Sequence, residues 1–332
     1  TGVQTCALPI YTSLLDAYVH RAAAMRRGHD PVRVALTAMH GVGAPLLHRC
    51  LAAAGFTSVA TVPQQNEPDP DFPTIPFPNP EEPGATDLLL ALAAESDAHV
   101  AFANDPDADR LAMGIPTPEG GWRMLTGDEL GALFAAGLMA RRTSTATPLL
   151  VTTVVSSQLL AAIAAEAGAE FYETLTGFKW LCRPGFEHPE LDQVLAYEES
   201  IGYAVGGLCD KDGISAAVVM ADLVRWWQAQ GLTPQDVLDD LARRHGAHVT
   251  NNFSLRISGP GWSARLAAIA ASVVADPPTS LAGIDVARLD QPADDVIRLF
   301  MANGDRVVIR PSGTEPKLKC YCEAVEPVAD NE

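Results

Sequence analysis

Three aspartates at alternate positions, Asp105, Asp107 and Asp109, follow a short apolar run from Val100 to Ala103. Such a run predicts a buried strand, and open α/β sheets bind their ligands at the carboxyl ends of strands. Alternate spacing lets a curled loop turn three carboxylates toward one point, where their mutual repulsion favours a hard divalent cation such as Mg²⁺. Arg110 follows directly, and its planar fork suits phosphate. The segment therefore predicts a metal site used in phosphoryl chemistry.

Other interpretations of this loop are a solvated acidic turn, an EF-hand and a phosphatase site. An EF-hand needs glycine at loop position six and a bidentate glutamate at position twelve. Counted from Asp105, those positions hold Arg110 and Pro116, which excludes it. A metal-dependent phosphatase with Asp105 as nucleophile stays open, although three carboxylates favour metal ligation over one nucleophile and one acid.

The composition limits the class of protein. The chain has 332 residues, of which 48% are hydrophobic, enough for two or three domains with their own cores. A net charge of −18 disfavours nucleic acid as a partner. The longest apolar stretch, Leu130 to Ala140, is too short to span a bilayer, so no membrane role is expected. Six scattered cysteines form neither a zinc pattern nor a disulfide framework, which favours a cytoplasmic location.

Strand and helix patterns alternate over most of the chain and predict a mostly parallel α/β fold. The pattern restarts near Pro148 and changes after Asn251, where Asn303-Gly304 predicts a hairpin. We expect two consecutive mixed α/β domains followed by a small α+β domain. The predicted limits are residues 1–10 as a non-native or unstructured segment, then domains at 11–145, 146–250 and 251–332.

Further polar loops follow predicted strands. In the loop from Arg310 to Lys317, hydroxyl groups and positively charged side chains surround a glycine. Such a loop could bind a dianion, or it could be an ordinary polar turn. The segment containing Glu198, Glu199 and Ser200 could form hydrogen bonds with sugar hydroxyls. Alternatively, its acidic residues stand at the N-terminus of a helix, where the helix dipole favours them. Lys179 is a phosphate contact, a proton-transfer group or a plain surface lysine. His40 is expected to be structural, and Lys211 to lie in a capped turn with a ligand contact in reach.

Four motifs occur in a fixed order: Asp-Pro-Asp-Ala-Asp-Arg, Thr-Gly-Phe-Lys-Trp, Glu-Glu-Ser-Ile-Gly-Tyr and Arg-Pro-Ser-Gly-Thr-Glu-Pro-Lys. In this order and spacing, from about residue 11 to the end, the chain resembles the α-D-phosphohexomutase family of phosphoglucomutases and phosphomannomutases. The resemblance implies a four-domain isomerase that moves a phosphoryl group between an enzyme phosphoserine and a sugar phosphate. Its partners would be a hexose phosphate and a hexose 1,6-bisphosphate.

The resemblance also implies roles for individual residues. Mg²⁺ would be bound by Asp105, Asp107 and Asp109, and the transferred phosphate would be assisted by Arg110. Gly177 and Lys179 would belong to the loop that lines the sugar site, Gly177 as a substrate-binding residue and Lys179 as a general acid or base. The sugar hydroxyls and the phosphate that is not transferred would be held by Glu198, Ser200, Arg310, Ser312, Gly313 and Thr314.

One departure from the family pattern concerns the nucleophile. The family's serine lies in a Ser-His-Asn-Pro-like loop of its first domain, and no Ser-His pair occurs in this chain. We therefore expect a fragment without the first domain and with an incomplete last domain, inactive alone. A non-catalytic module that binds sugar phosphates is the alternative. Glucose, mannose, glucosamine and pentose phosphates differ by one or two hydrogen bonds, on the order of 1–3 kcal/mol, and all stay candidates.

Overall fold

Short runs of apolar, largely β-branched or small residues form the centre of the first sheet. The computed structural model describes residues 4–28, 31–257, 259–311 and 316–329. Its first sheet has five strands in the order β2-β1-β3-β4-β5, parallel across β2, β1 and β3 and antiparallel beyond. These strands are β1 (Arg33–Thr37), β2 (Ser58–Thr61), β3 (Val100–Asn104), β4 (Leu111–Pro116) and β5 (Trp122–Met124). Helices α1 (Gln4–Ala24), α2 (Ala44–Ala53) and α3 (Asp87–Glu95) belong to the same unit.

The second sheet repeats this design with four strands in the order β7-β6-β8-β9, of which only β9 is antiparallel. The strands are β6 (Pro148–Thr153), β7 (Glu170–Thr174), β8 (Asp192–Glu198) and β9 (Gly202–Val205). Its helices are α4 (Gly127–Ala140), α5 (Leu159–Ala167), α6 (Phe178–Leu181), α7 (Arg183–Glu187), α8 (Gly213–Gln228) and α9 (Pro234–His245). Helix α8 is buried over most of its length and packs against β3, β4 and β9, so one core joins both units.

The third sheet is antiparallel, with six strands in the order β10-β15-β14-β13-β12-β11. They are β10 (Ala247–Arg256), β11 (Ser280–Leu281), β12 (Ile284–Ala293), β13 (Val296–Met301), β14 (Arg306–Pro311) and β15 (Lys317–Glu326), with α10 (Trp262–Ala275) on one face. The predicted hairpin joins β13 to β14, and Gly304 supplies the left-handed turn residue at φ +99°.

The buried carboxylate of Glu323 anchors this third sheet to the second unit. Glu323 accepts hydrogen bonds from Ser157 Oγ at 2.6 Å and from the Gln158 amide at 2.8 Å. Arg306 and His248 also contact the Glu323 carboxylate, at 3.0 and 2.8 Å. The third sheet is therefore hydrogen-bonded to the polar segment that follows β6.

The structure confirms the predicted fold class, two α/β units followed by a smaller α+β unit, and refines some elements. Helix α1 begins at Gln4, so residues 4–10 are helical where the sequence predicted a non-native or unstructured segment. The predicted domain limits stay predictions, and the one at 250/251 falls inside β10. Residues 63–86, here named the Pro-rich loop, begin with a 3₁₀ turn. Among the described residues, no helix is long and apolar enough to cross a membrane.

Candidate active site

The three aspartates of the predicted metal site converge in the loop that joins β3 to β4. One ligand atom from each of Asp105, Asp107 and Asp109 lies within 4.8 Å of the others. Asp105 is buried, Asp107 is exposed and Asp109 is intermediate. Ala108 has a φ of +61°, a left-handed conformation that curls the loop, and its amide donates to the Asp105 carbonyl at 2.9 Å.

Two glycine-containing segments pack closely on this loop and hold its curve. The Val42 amide donates to the Pro106 carbonyl at 2.8 Å, and a Cβ on Gly41 would stand 2.4 Å from the Pro106 backbone. On the other side the Gly213 amide donates to the Ala108 carbonyl at 3.1 Å. A side chain at either glycine would displace the loop, which accounts for glycine there.

Arg110 is fixed by both oxygens of Asp105. Its backbone amide donates to Asp105 Oδ1 at 3.0 Å, and its Nε donates to Oδ2 at 2.6 Å. Its Nη1 donates to Asn79 Oδ1 at 3.1 Å. The guanidinium thus lies beside the carboxylate cluster with a defined orientation, as phosphate recognition requires.

The charges of the cluster fit a divalent cation. Partial burial, and then the negative charge of Asp105, raise the pKa of Asp107. Burial also raises the pKa of Asp109, with Asp105 and Asp107 adding to it, although Lys211 acts in the opposite direction. Three carboxylates therefore carry more negative charge than the neighbouring cations balance, and a hard cation would relieve that repulsion.

The predicted sugar-binding residues Glu198 and Ser200 lie beside this loop. They belong to a tight connection between β8 and β9, residues 198–202, here named the sugar turn after the role expected from the sequence. The Leu111 amide donates to the Ile201 carbonyl at 3.0 Å. An open cavity of about 670 Å³ is lined by Val42, Asp105, Pro106, Asp107, Asp109, Arg110, Ser200 and Lys211. The interpretation of this segment as the start of a helix is wrong, because strand β9 follows the turn.

Lys211, which the sequence places in a capped turn with a ligand contact in reach, links the two loops. Its Nζ lies 3.2 Å from Asp109 Oδ2 and 3.8 Å from Glu198 Oε1. The signal was present in Lys-Asp-Gly before a predicted helix, and Asp212 indeed caps α8. Local sequence could not show which carboxylates the lysine would meet.

Glu199 points away from that cavity into the protein. Its Oε2 accepts weak hydrogen bonds from Thr153 Oγ1 and Ser156 Oγ, both at 3.3 Å. Burial, with the nearby charges of Asp128 and Glu198, raises the pKa of Glu199 to about 7. The same carboxylate lines a cavity of about 390 Å³ between the three units.

The remaining predicted residues form a separate group. Lys179 is on helix α6 rather than in a loop, and this helix begins directly after Gly177, whose φ is +103°. Lys179 and Arg310 line a cavity of about 210 Å³. Arg310 Nη1 donates to Thr176 Oγ1, and its Nε lies 3.7 Å from Asp295. Ser312, Gly313 and Thr314 lie outside the described residues.

Family models match nearly the whole chain in three consecutive parts. Each is described as "Phosphoglucomutase/phosphomannomutase": alpha/beta/alpha domain II matches residues 14–118, alpha/beta/alpha domain III matches 126–245, and the C-terminal domain matches 265–332. The order of these matches is that of the three sheets.

Two curated relatives are similar over most of this chain. A "Probable phosphomannomutase" of Haemophilus influenzae is 37% identical over 94% of the chain and 64% of its own length. Human "Phosphopentomutase" is 33% identical over 91% of the chain and 54% of its own length. The chain thus spans between half and two thirds of these relatives.

Solved structures share the fold. A phosphoglucomutase/phosphomannomutase family protein from Burkholderia thailandensis superposes with a TM-score of 0.72 at 22% identity, over 96% of this chain and 61% of that one. An Aspergillus fumigatus N-acetylphosphoglucosamine mutase, solved with GlcNAc-6P and magnesium, gives 0.57 at 15% identity, over 93% and 65%. From its three matched domains and its curated relatives, the chain belongs to the phosphoglucomutase/phosphomannomutase family.

Proposed function

We propose that this chain supplies the metal, sugar and phosphate sites of a mutase that interconverts hexose 1-phosphate and hexose 6-phosphate through a 1,6-bisphosphate. The observation that carries the proposal is the cavity in which three convergent carboxylates, Arg110 and Lys211 meet the sugar turn. The phosphomutase names of the similar proteins support the same reaction class.

Asp105, Asp107 and Asp109 would hold Mg²⁺, and the magnesium in the Aspergillus structure supports this choice. A bound Mg²⁺ would neutralise charge on a transferring phosphoryl group. Arg110 would bind equatorial phosphate oxygens, since its fork is oriented and charge stabilisation dominates phosphoryl transfer.

The other residues bind and orient the sugar phosphate. Glu198 accepts hydrogen bonds from sugar hydroxyls, and Ser200 both donates and accepts. Lys179 would move the proton of the reacting hydroxyl as general acid or base, which requires that hydroxyl to reach the cavity that Lys179 shares with Arg310. The phosphate that is not transferred is held by Arg310, Ser312, Gly313 and Thr314.

A phosphatase with Asp105 as nucleophile is disfavoured by the contacts of that carboxylate. Both oxygens of Asp105 accept hydrogen bonds from Arg110, and the residue is 3% exposed. A nucleophile needs one free oxygen in line with the phosphorus atom. Asp105 is better suited to ligate a cation and hold Arg110.

We further propose that these 332 residues alone bind sugar phosphates without turning them over, because the sequence has no Ser-His pair to supply the phosphoserine. The test measures glucose 6-phosphate formation from glucose 1-phosphate with Mg²⁺ and glucose 1,6-bisphosphate, in a coupled assay. Calorimetry with the same bisphosphate measures binding. We expect binding without turnover. Turnover proportional to the purified chain would contradict the second proposal, and absence of binding would contradict the first.

The same assay on a chain that also carries a Ser-His-containing first domain separates a mutase from a binding module. Turnover that requires this added domain supports the mutase, whereas binding without turnover supports the module. Comparing glucose 1-phosphate with mannose 1-phosphate then assigns the substrate.

A further inference from the structure

The Pro-rich loop is tied to the end of β1 by a series of side-chain and backbone hydrogen bonds. Thr37 Oγ1 donates to Gln65 Oε1 at 2.5 Å, and the His40 ring bonds Thr74 Oγ1 at 2.8 Å. The His40 amide donates to the Gln65 carbonyl, and the Asp69 amide donates to the His40 carbonyl, both at 3.0 Å. The loop therefore has a fixed place on the first unit.

The far end of this loop reaches Arg110. Asn79 Oδ1 accepts from Arg110 Nη1 at 3.1 Å and from the Glu81 amide at 3.3 Å. The Asn79 carbonyl accepts from the Glu82 amide at 3.0 Å, which closes a turn around the asparagine. Glu81 Oε2 lies 3.9 Å from the same Nη1. The asparagine oxygen is thus held in position by its own turn.

Two anchors on different nitrogens restrict the guanidinium more than one anchor does. Asp105 holds Nε, and Asn79 holds Nη1, so rotation about the Nε–Cζ bond would break one of the two hydrogen bonds. Within the described part of the chain, no protein acceptor bonds Nη2 of Arg110. That nitrogen is therefore available to a bound anion.

We propose that Asn79 is a positioning residue for Arg110: its side-chain oxygen holds Nη1 so that the free Nη2 edge is directed to the phosphate of the substrate. The phosphate part rests on the proposed function, whereas the restraint on the guanidinium stands on the two hydrogen bonds alone. The Pro-rich loop then has a function at the site, as the link between the end of β1 and the arginine.

The first test measures guanidinium rotation in the whole 332-residue chain by ¹⁵N NMR of arginine side chains. Comparison with Arg110→Lys assigns the Arg110 signals. We expect separate, slowly exchanging Nη resonances in the wild type and their coalescence in Asn79→Ala. Asn79→Asp keeps an acceptor oxygen and should retain the wild-type pattern. Unchanged Arg110 signals in Asn79→Ala would overturn the proposal.

Two further variants separate positioning from a general effect on the loop. Asn66→Ala removes an amide from the same loop whose side chain donates to Glu67, and it should leave Arg110 unchanged. Asn79→Ser keeps a polar side chain that is too short to reach Nη1, and it replaces Asn79→Ala if circular dichroism shows that variant unfolded. Coalescence in Asn66→Ala as well would contradict a specific role for Asn79.

The second test measures affinity for glucose 1,6-bisphosphate with Mg²⁺ by calorimetry. Asn79→Ala should bind about fivefold more weakly, as expected for the loss of one hydrogen bond to a charged group. Equal affinity of Asn79→Ala and wild type would contradict the phosphate part. If the wild type itself does not bind, the proposed function fails while the NMR test still decides the restraint on Arg110.

Discussion

The amide of Leu111 donates to the carbonyl of Ile201 at 3.0 Å, and this hydrogen bond joins the loop of the three aspartates in the first unit to the sugar turn of the second. An isolated bridge between Arg110 and Gly202 continues the pairing. The two loops therefore behave as neighbouring strand ends, and a displacement of one is transmitted to the other through the backbone.

Removing one carboxylate of the cluster should weaken cation binding. We expect Asp107→Asn to bind Mn²⁺ at least about tenfold more weakly. The carboxylate of the exposed Asp107 can ligate a cation without breaking an ion pair, and the variant loses its charge. Electron paramagnetic resonance of free Mn²⁺ measures the affinity. Glu119→Gln in an exposed turn is the matched control, and an equal loss in both variants would argue against the site.

Lys211 competes with a cation for Asp109, since its Nζ lies 3.2 Å from the carboxylate. Lys211→Met should therefore bind Mn²⁺ about three- to tenfold more tightly, by removing a nearby positive charge. The same variant should bind glucose 1,6-bisphosphate more weakly, because the cavity loses a cation. A parallel loss of both affinities would indicate that the lysine holds the loop together instead.

Gly127, the first residue of α4, lies against the sugar turn. A Cβ at this position would stand 1.9 Å from the Glu199 carbonyl oxygen, so Gly127→Ala forces the turn or the helix to move. We expect a loss of about 2 kcal/mol in unfolding free energy. Urea denaturation measures it, with Gly121→Ala in the exposed β4–β5 turn as control. An unfolding free energy equal to that of the wild type would show that the sugar turn moves to accommodate the side chain at no cost in stability.

Glu199 should make stability fall as pH rises. Its folded pKa, raised by burial to about 7, exceeds the unfolded value of 4.5, so the folded state holds the proton more tightly between these values. Stability from this group is therefore complete below about pH 4.5 and is lost as pH approaches 7. Glu199→Gln should flatten this slope in urea denaturation from pH 5 to 7.5. An unchanged slope would assign it to other groups.

Glu323 should have the opposite effect. Burial alone would raise its pKa, but His248, Arg306 and hydrogen bonds from Ser157 and Gln158 lower it below its usual range. Its contribution is present above the unfolded pKa and lost as pH falls through the folded pKa. Glu323→Gln should cost about 3 kcal/mol at pH 7 and less at pH 3. Thermal unfolding at both pH values measures this, and equal costs would contradict it.

Much of the fold could be predicted, because the spacing of apolar residues and the position of turn residues agree with the observed elements. The apolar run before Asp105 became the buried strand β3, and Asn303-Gly304 became a hairpin. Strand β9 escaped prediction, since its four residues follow the polar sugar turn without a turn signal of their own. The edge strand β10 gives little periodic signal in the sequence, because its residues are mostly exposed.

The site was predictable where residues that are close in sequence form it. Alternate spacing brought the three aspartates together through one curled loop. By contrast, Lys211, Asn79 and Glu199 act through partners far along the chain, at Asp109, Arg110 and Thr153. The contact of Lys211 with Asp109 depends on how the two α/β units pack, and the other two depend on how distant loops of one unit fold together, which no local pattern encodes. The separation of Lys179 and Arg310 from the metal loop is likewise a property of packing.

Asp105 would be shared between two positive groups if a cation binds, because both of its oxygens already accept hydrogen bonds from Arg110. A cation that takes Asp105 as a ligand is therefore tied to the arginine through a single carboxylate. The relative placement of these two charges is set inside the first unit, by the six consecutive residues from Asp105 to Arg110 together with Asn79, and not by the angle between domains. Rearrangement of the units can re-aim this charge pair as a whole, while the match between the pair and a phosphoryl group is preserved.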